Sequence, residues 1–463
     1  MSNDKQINFD INSFIIFDPS LSYCEEEEHK KILYCYPQSV DIEQRMKIVG
    51  LCEAMNNFAT EFTDVPCQFI HTLKTRIVIL TLEKSMTIVM TVNIPKKSGS
   101  SEEYLEEKIQ NSICSVILQH CRQMLFLFLG PPSFIIKRDG LKTFIDNMKI
   151  FFDENIGQGI LEGYQITDGL PGVQLLPSDK GMYVESQNVI CRLECKFTDI
   201  IGSILLFNNN LVYSTLEKDD LWILYRYLTT SLLAKHNLNE SLDHSFTLGN
   251  MGKFVNLSVK SIEKDNISKS KTVFLDINKY LSKSIPDPKE ATFFVYKALQ
   301  ATVIIFVRRE SCPTNCELET IHKYLGEELT RLANSLSQKS EQLNSETPYK
   351  YMYWNPQTLS VKCTLFPIRQ WRSEFPALVS GEIMRVMSDV KQEIDRDESI
   401  NNRSIKEMDV KLQSDSWVVY IENIGRQLYV AINKRNLSLV DVSKEMRHLC
   451  SRDFPNVFKV EID

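Results

Sequence analysis

The chain has 463 residues, a length that predicts about three domains at roughly 150 residues each. Hydrophobic residues make up 43% and charged residues 24%, a balance typical of folded globular domains. The formal net charge is −7, which argues against a general nucleic-acid binder because such proteins need a basic surface. The same charge argues against binding to anionic membranes through bulk electrostatics.

The sequence also does not favour a membrane-spanning or a secreted protein. The longest uninterrupted apolar run, Met124–Leu129, has six residues, whereas a spanning helix needs about 20. The first residues contain no apolar segment typical of a secretory signal. We therefore expect the 12 cysteines to lie in a reducing compartment, as small core side chains rather than as disulfides.

The first part of the chain predicts the element order β-β-α-β-β-β-α-α. Apolar periodicity and turn residues place these elements at Phe14–Phe17, Lys31–Tyr36, Asp41–Thr63, Cys67–Leu73, Arg76–Leu82, Met86–Ile94, Ser101–Leu129 and Leu141–Phe152. Ser100 and Glu103 have the spacing of a capping box, which favours a start of the seventh element near Ser101. The short gaps between the three middle strands are typical of hairpins.

The same order recurs twice. In the middle part, strands at Ile200–Phe207 and Leu211–Tyr213 precede a helix with a second predicted capping box, Ser214 and Glu217, and a long helix at Glu317–Leu343 ends the unit. We predict an α+β protein of three domains, each a five-stranded antiparallel sheet flanked by helices. The predicted domains are residues 1–160, 161–345 with a polar insertion at 236–271, and 346–463.

Motifs for covalent chemistry are weak. Gly249–Phe254 has a Gly-Lys pair but lacks the glycine spacing and the hydroxyl residue of a phosphate-binding loop. Cys312, Cys316 and His322 are three candidate ligands where structural zinc usually has four. We therefore expect no cofactor, no metal and no catalytic residue, although an enzyme with a cysteine nucleophile remains an alternative.

The helix predicted at Asp41–Thr63 has apolar residues on two sides. At 100° per residue, one stripe is expected to pack on the domain's own sheet and comprises Ile48, Leu51, Cys52, Met55, Phe58, Ala59 and Phe62. Ile42, Met46 and Val49 form a second row on the opposite side, and Glu53 extends that row. This second row requires another contact, either within the same chain or with a partner protein.

Several blocks of sequence resemble the calcium-caffeine-zinc-sensitivity (Ccz) family of vacuolar fusion proteins. These blocks are Phe14–Ser20, the glutamates Glu25–Glu28, Lys30–Pro37, Leu211–Leu232, Ser416–Val419 and Gln427–Val430. The resemblance implies three longin domains and an obligate heterodimer with a Mon-type longin protein. It also implies that the dimer is a guanine nucleotide exchange factor for a late-endosomal or vacuolar Rab GTPase, with a third subunit in animals.

The family implies an action by binding, without covalent chemistry and without catalytic side chains. The candidate interface for the partner or the GTPase is the row Ile42, Met46, Val49 and Glu53, together with the strand ends at Pro19 and Pro37. The resemblance implies a cytoplasmic protein recruited peripherally to late endosomes and to the lysosome or vacuole, where it promotes maturation and fusion. A non-catalytic longin-domain scaffold or tether is the alternative function.

Overall fold

The structure is a computed structural model of the chain. It describes residues 10–458 except 23–24, 64–65, 97–103, 106–108, 157–171, 177–178, 234–251, 256–269, 312, 344–348, 366–378, 402–405, 435 and 456. The chain divides into two compact units, a first unit at Met1–Gly169 and a second unit at Leu170–Asp463.

The first unit is built on one antiparallel sheet. Its strands are β1 (Asp10–Phe17), β2 (Ile32–Tyr36), β3 (Phe69–His71), β4 (Thr75–Glu83) and β5 (Met86–Asn93). The strand order is β2-β1-β5-β4-β3, so β2 and β3 are the edges. The described helices of this unit are α1 (Ile42–Thr63), α2 (Asn111–Leu129), α3 (Pro132–Asp139) and α4 (Leu141–Ile156).

Helices cover both faces of this sheet because successive strand residues point to opposite sides. Ile15 and Phe17 belong to the core cluster that also contains Val49 of α1. Phe14 points to the other face, where its ring lies 5.2 Å from that of Phe152 in α4. The first unit therefore has three layers, with α1 on one face of the sheet and α4 on the other.

Helix α2 begins at Asn111, not near Ser101 as the sequence predicts. Tyr104 forms an isolated antiparallel bridge with Lys96, and Leu105 N donates to Pro95 O at 2.8 Å. Backbone groups paired in this way cannot also make the i to i−4 bonds of a helix. The predicted capping residues Ser100 and Glu103 lie outside the described residues.

One stretch of the described chain, Ile113–Asp139, is long and apolar enough to cross a membrane by length and composition. Of its most apolar window, 67% is buried inside the protein. The stretch comprises most of α2 together with α3, and Gly130 with φ +86° ends α2 between them. Burial against the sheet therefore accounts for this apolar composition.

The second unit contains two further sheets, and the first of them follows the predicted order. After β6 (Val173–Gln174) and α5 (Lys180–Lys196), its described elements are β7 (Ile200–Phe207), β8 (Asn210–Ser214), α6 (Lys218–Tyr227), β9 (Lys253–Phe254), β10 (Ser270–Leu275), α7 (Ile277–Leu281), β11 (Lys289–Ala298), β12 (Ala301–Arg308) and α8 (Asn315–Leu343). The strand order is β10-β11-β12-β7-β8, and β9 pairs with β11 beyond the end of β10. Most of the predicted insertion lies outside the described residues.

The predicted capping box at the start of α6 does not form. Glu217 is itself the N-cap residue and its side chain caps nothing, while Ser214 Oγ accepts a hydrogen bond from Leu216 N at 3.1 Å. Since α6 starts at Lys218, Ser214 lies too far upstream to cap its free N–H groups. The helix continues directly into one π-helical turn at Leu228–Leu232.

The last part of the chain forms the third sheet. Its described elements are β13 (Lys350–Asn355), β14 (Ser360–Cys363), α9 (Gly381–Asn401), β15 (Glu407–Lys411), β16 (Trp417–Asn423), β17 (Arg426–Ile432) and α10 (Leu439–Asp453). The strand order β15-β16-β17-β13-β14-β6 adds β6 as a sixth strand, parallel to β14. The predicted α+β class with three helix-flanked sheets is thus confirmed, with an additional short strand in the second and third sheets.

Strand β6 joins the two sheets of the second unit. Val173 N donates to Leu359 O at 2.6 Å in the third sheet, and Leu176 N donates to Leu211 O at 2.8 Å in the second. We call residues 172–176 the joining strand. The four residues from Val173 to Leu176 thus link two domains through backbone hydrogen bonds, a feature that the element order does not predict.

Candidate functional site

Helix α1 carries most of the candidate interface residues, and polar contacts at both ends fix its position. Near its start, the Arg45 guanidinium donates to the backbone carbonyls of Gln38 and Val40. Further along, Lys31 Nζ lies 3.2 Å from Glu53 Oε2, and Asn56 Oδ1 accepts a hydrogen bond from Cys67 N at 3.1 Å. The helix is therefore held over β2 and cannot easily rotate to present another face.

The face of α1 that meets the sheet is narrow and made of small side chains. Val49 and Cys52 are each 1% exposed and pack against the strands of the first sheet. Desolvation raises the pKa of the Cys52 thiol to about 12, so it stays protonated at neutral pH. Because side chains of this size let a helix lie close to a sheet, they form the core contact in place of larger neighbours.

This arrangement corrects part of the predicted roles of the two apolar rows: Cys52 and Ile48 of the first row do pack on the sheet, but its larger members do not. Val49, expected on the outer side, lies in the core, and Met46 and Glu53 beside it are half-buried. Ile42 is exposed because it lies in the first turn, before the helix reaches the core. Of the predicted row, Val49 is therefore a core residue, Met46 and Glu53 are partly covered by their own domain, and Ile42 alone stays exposed.

The outward face of α1 carries a different set of apolar side chains. Leu51, Met55, Phe58 and Phe62 are 40%, 36%, 59% and 72% exposed, and we call them the α1 stripe. Their spacings of four, three and four residues place them on one helix face. The rings of Phe58 and Phe62 lie 4.8 Å apart, so these two side chains form one continuous apolar patch within the stripe.

The two candidate prolines lie at opposite ends of the β1–β2 pair. Phe17 pairs with Ile32 and Phe14 pairs with Tyr36, because the two strands are antiparallel. Pro19 therefore follows the end where Asp18 N donates to Lys31 O at 2.9 Å, whereas Pro37 follows the other end. The structure does not bring Pro19 and Pro37 together into one patch.

Two buried cysteines are poorly suited to act as nucleophiles. Burial raises the pKa of Cys114 to about 12 and that of Cys450 to about 11, which keeps both thiols protonated and weakly nucleophilic. Of the zinc candidates, Cys312 lies outside the described residues, and His322 Nδ1 lies 3.0 Å from Tyr296 Oη. In the described part of the chain, no three His, Cys, Asp or Glu side chains converge as metal ligands.

Family models of longin domains match three successive stretches of the chain. Residues 11–130 match the model described as the first longin domain of INTU, CCZ1 and HPS4. Residues 200–336 match Intu longin-like domain 2, and residues 345–449 match Intu longin-like domain 3. The predicted longin architecture is thereby confirmed.

Full-length relatives carry one shared name. A vacuolar fusion protein CCZ1 homolog of Danio rerio is 30% identical, with 98% of this chain and 97% of that protein covered. The homolog of Nematostella vectensis is 28% identical, with coverage of 96% and 97%. That of Dictyostelium discoideum is 23% identical, with coverage of 97% and 98%. The similarity therefore extends over nearly the whole length of each protein.

Proposed function

The chain belongs to the CCZ1 family of vacuolar fusion proteins, and from that premise we propose a function in two steps. The coarser step is a role in vacuolar fusion traffic, at the vacuole or lysosome, which the name of the relatives supports. The finer step is that the chain is one subunit of a heterodimeric guanine nucleotide exchange factor for a late-endosomal Rab GTPase. The other subunit is a Mon-type longin protein.

The α1 stripe is the single observation that supports this proposal most directly. Leu51, Met55, Phe58 and Phe62 present large apolar side chains to water on a helix that is already anchored by its opposite face. A contiguous apolar patch of this kind is typical of a protein interface. We assign the stripe to the contact with the partner's first longin domain, in place of the row that the sequence favoured.

An exchange factor of this type acts by differential binding and forms no covalent bond. It binds the nucleotide-free GTPase more tightly than the nucleotide-bound form, and by reciprocity it weakens nucleotide binding by the same factor. Displacing the switch loop that helps to hold Mg²⁺ achieves this. Such a function needs a shaped surface that prefers one switch conformation, and it requires no nucleophile.

The test is release of labelled GDP from a panel of Rab GTPases, measured with the chain alone, the partner alone and the purified heterodimer. We expect the heterodimer to accelerate release from a late-endosomal Rab and neither single chain to do so. Release at the spontaneous rate for every Rab contradicts exchange activity. Stable complex formation without acceleration supports the scaffold or tether instead.

A pair of variants connects this activity to the stripe. Phe58→Asp places a charge on the stripe, whereas Ile150→Asp places one on α4 at a side chain with the same 59% exposure. We expect Phe58→Asp to abolish copurification with the partner and the acceleration of GDP release. Ile150→Asp should leave both unchanged, and equal effects of the two variants contradict the assignment of the stripe.

The proposal also covers the remaining partners. The chain has a net charge of −7, which does not favour binding to anionic membranes through its overall charge. We therefore propose that the assembled complex, and not this chain alone, is recruited to the membrane. A third, regulatory subunit is proposed for animal complexes. Copurification from cells followed by mass spectrometry, with a second longin-type chain in equal amount, tests the composition.

A further inference from the structure

The outward face of α1 is complementary in shape to itself. The α1 stripe forms one flank of this face, and beside it lie two small exposed residues, Gly50 and Ala54. A Cβ placed on Gly50 would meet no described atom within 4 Å. Gly50 and Phe58 lie four residues before and four residues after Ala54. At 100° per residue, the three positions fall within about 80° of one another around the helix axis.

An antiparallel contact between two copies of α1 would use this spacing. If a two-fold axis passes at Ala54, each residue faces the residue at the same distance on the other side of Ala54 in the second copy. Phe58 of one copy then lies against Gly50 of the other, and this contact occurs twice. A large ring opposite a glycine lets two helices approach closely with their side chains interlocked.

The charges on the same face have the same symmetry. Lys47 and Glu61 are both exposed, and they lie seven residues before and seven residues after Ala54. At 1.5 Å per residue, each is about 10 Å from Ala54 along the helix axis. In the antiparallel pair, Lys47 of one copy therefore faces Glu61 of the other at both ends. In a parallel pair like charges would meet, so the charges select the antiparallel orientation.

The contact that Lys47 makes within its own helix does not prevent this pairing. Lys47 Nζ lies 2.7 Å from Glu43 Oε1, and both side chains are more than 70% exposed. An ammonium group has three donors, so Lys47 can contact the carboxylates of Glu43 and of Glu61 in the second copy together. Shape and charge thus give the same register for two copies of this helix.

We propose that the isolated chain forms a homodimer through antiparallel pairing of the outward faces of α1 around Ala54. A contact between two single helices is small, so the dissociation constant should be in the micromolar range. Below that concentration the chain is a monomer with the α1 stripe in water. The homodimer depends on the surface of α1 and not on the exchange function. Since it covers the stripe that we assign to the Mon-type protein, the two assemblies exclude each other.

Sedimentation equilibrium of the purified full-length chain tests the proposal at about 1 to 100 µM, because association of two copies depends on concentration. We expect the average mass to rise from that of one chain toward that of two. Phe58→Asp should raise the dissociation constant at least about tenfold, since it replaces the ring that lies on Gly50. Ile150→Asp on α4, at a side chain with the same 59% exposure, should leave it unchanged.

A charge exchange tests the register. Lys47→Glu and Glu61→Lys each place like charges opposite one another, and each should raise the dissociation constant about fivefold. The double variant Lys47→Glu and Glu61→Lys restores opposite charges, and its dissociation constant should return to within about twofold of the wild-type value. Lys149→Glu is the control, because it makes the same change at an exposed lysine of α4.

Three outcomes overturn the homodimer in this register. They are a monomer at every concentration, association that Phe58→Asp does not weaken, and a double charge variant that associates no better than the single variants. Circular dichroism checks that each variant is folded, and if Phe58→Asp is not, the charge exchange decides. If the isolated chain stays monomeric while the heterodimer forms and accelerates GDP release, this inference fails and the proposed function stands.

Discussion

Asp220 is a buried carboxylate in the first turn of α6, and its environment disfavours ionisation. Desolvation raises its pKa to about 6, while the hydrogen bond that Asp276 N donates to its Oδ2 at 2.8 Å opposes the rise. The nearby carboxylate of Asp276 lies 2.6 Å from Lys289 Nζ. Desolvation raises its pKa, but hydrogen bonds and charge from Lys289 and Lys279 outweigh this effect, so the pKa is lowered. The pKa values of the two neighbouring carboxyl groups are therefore shifted in opposite directions.

The pH dependence of stability follows from the raised pKa of Asp220. The folded state binds the proton more tightly than the unfolded chain, whose pKa is near 3.8. The protonated Asp220 side chain therefore makes its full contribution to the free energy of unfolding below about pH 4, and this contribution is lost as the pH rises through about 6. The loss is up to about 3 kcal/mol, at 1.36 kcal/mol per pKa unit. We expect Asp220→Asn, which keeps an acceptor for Asp276 N, to remove this loss and to raise stability at pH 7.

Urea unfolding at pH 4.5 and pH 7, followed by the fluorescence of the neighbouring Trp222, measures this difference. Asp219→Asn is the matched control, because Asp219 lies in the same turn but is exposed. If the free energy of unfolding changes equally between the two pH values in the wild-type chain and in Asp220→Asn, then Asp220 is not the source of the pH dependence.

The residues of α1 show that a helix can be predicted from sequence more easily than its orientation on the sheet. The helix itself was predictable from its period, and its observed bounds are Ile42–Thr63. Its orientation was not, because two apolar rows competed and the larger one, with Phe58 and Phe62, was assigned to the core. Of that row the structure buries Cys52, as predicted, but leaves Leu51, Met55, Phe58 and Phe62 exposed, and it buries Val49 of the other row. Counting apolar residues cannot reveal which of them the sheet accepts.

At the scale of elements, the strands were predicted more reliably than the start of α2 or the joining strand. Long strands such as β11 and β12 show continuous apolar runs between turn residues, which is a strong signal. Residues 172–176 have no such period, because the strand within them has only two residues and its partners are distant in sequence. Non-local pairing of this kind has no local sequence signature.

Gly172 makes the joining strand testable. A Cβ placed there would lie 1.9 Å from Val361 Cγ2 on β14, so any larger residue must displace either the Val361 side chain or the strand itself. We expect Gly172→Ala to destabilise the joining strand by about 1–3 kcal/mol, as overpacking commonly does. Amide exchange of Val173 and Leu176, which donate to Leu359 O and Leu211 O, should accelerate accordingly.

The control for this variant is Gly50→Ala, since a Cβ at Gly50 meets nothing within 4 Å on the surface of α1. Replacing a helical glycine with alanine usually stabilises by about 0.5–1 kcal/mol. Unchanged exchange at Val173 and Leu176 in Gly172→Ala would show that the contact between β6 and β14 is not needed to hold the two sheets together.

At the scale of the whole molecule, the sequence predicted the repeat of three domains and the family, because both depend on patterns spread over hundreds of residues. The interface was harder to predict, since it depends on which side of one helix remains exposed after the domain has folded. A protein with the α1 stripe in water is expected to be incomplete without a partner. This expectation concerns the isolated chain and can be measured without any GTPase.

We expect the isolated chain to bind the apolar-surface dye anilinonaphthalene sulfonate, and the Mon-type partner to reduce that fluorescence on forming the complex. The double variant Phe58→Asp and Phe62→Asp should reduce dye binding by the isolated chain, because it interrupts the continuous apolar surface. Ile424→Asp is the control: Ile424 is 77% exposed, but it lies alone at the tip of the β16–β17 hairpin. Undiminished dye binding in the double variant, or in the assembled complex, would mean that the stripe is not the surface that the partner covers.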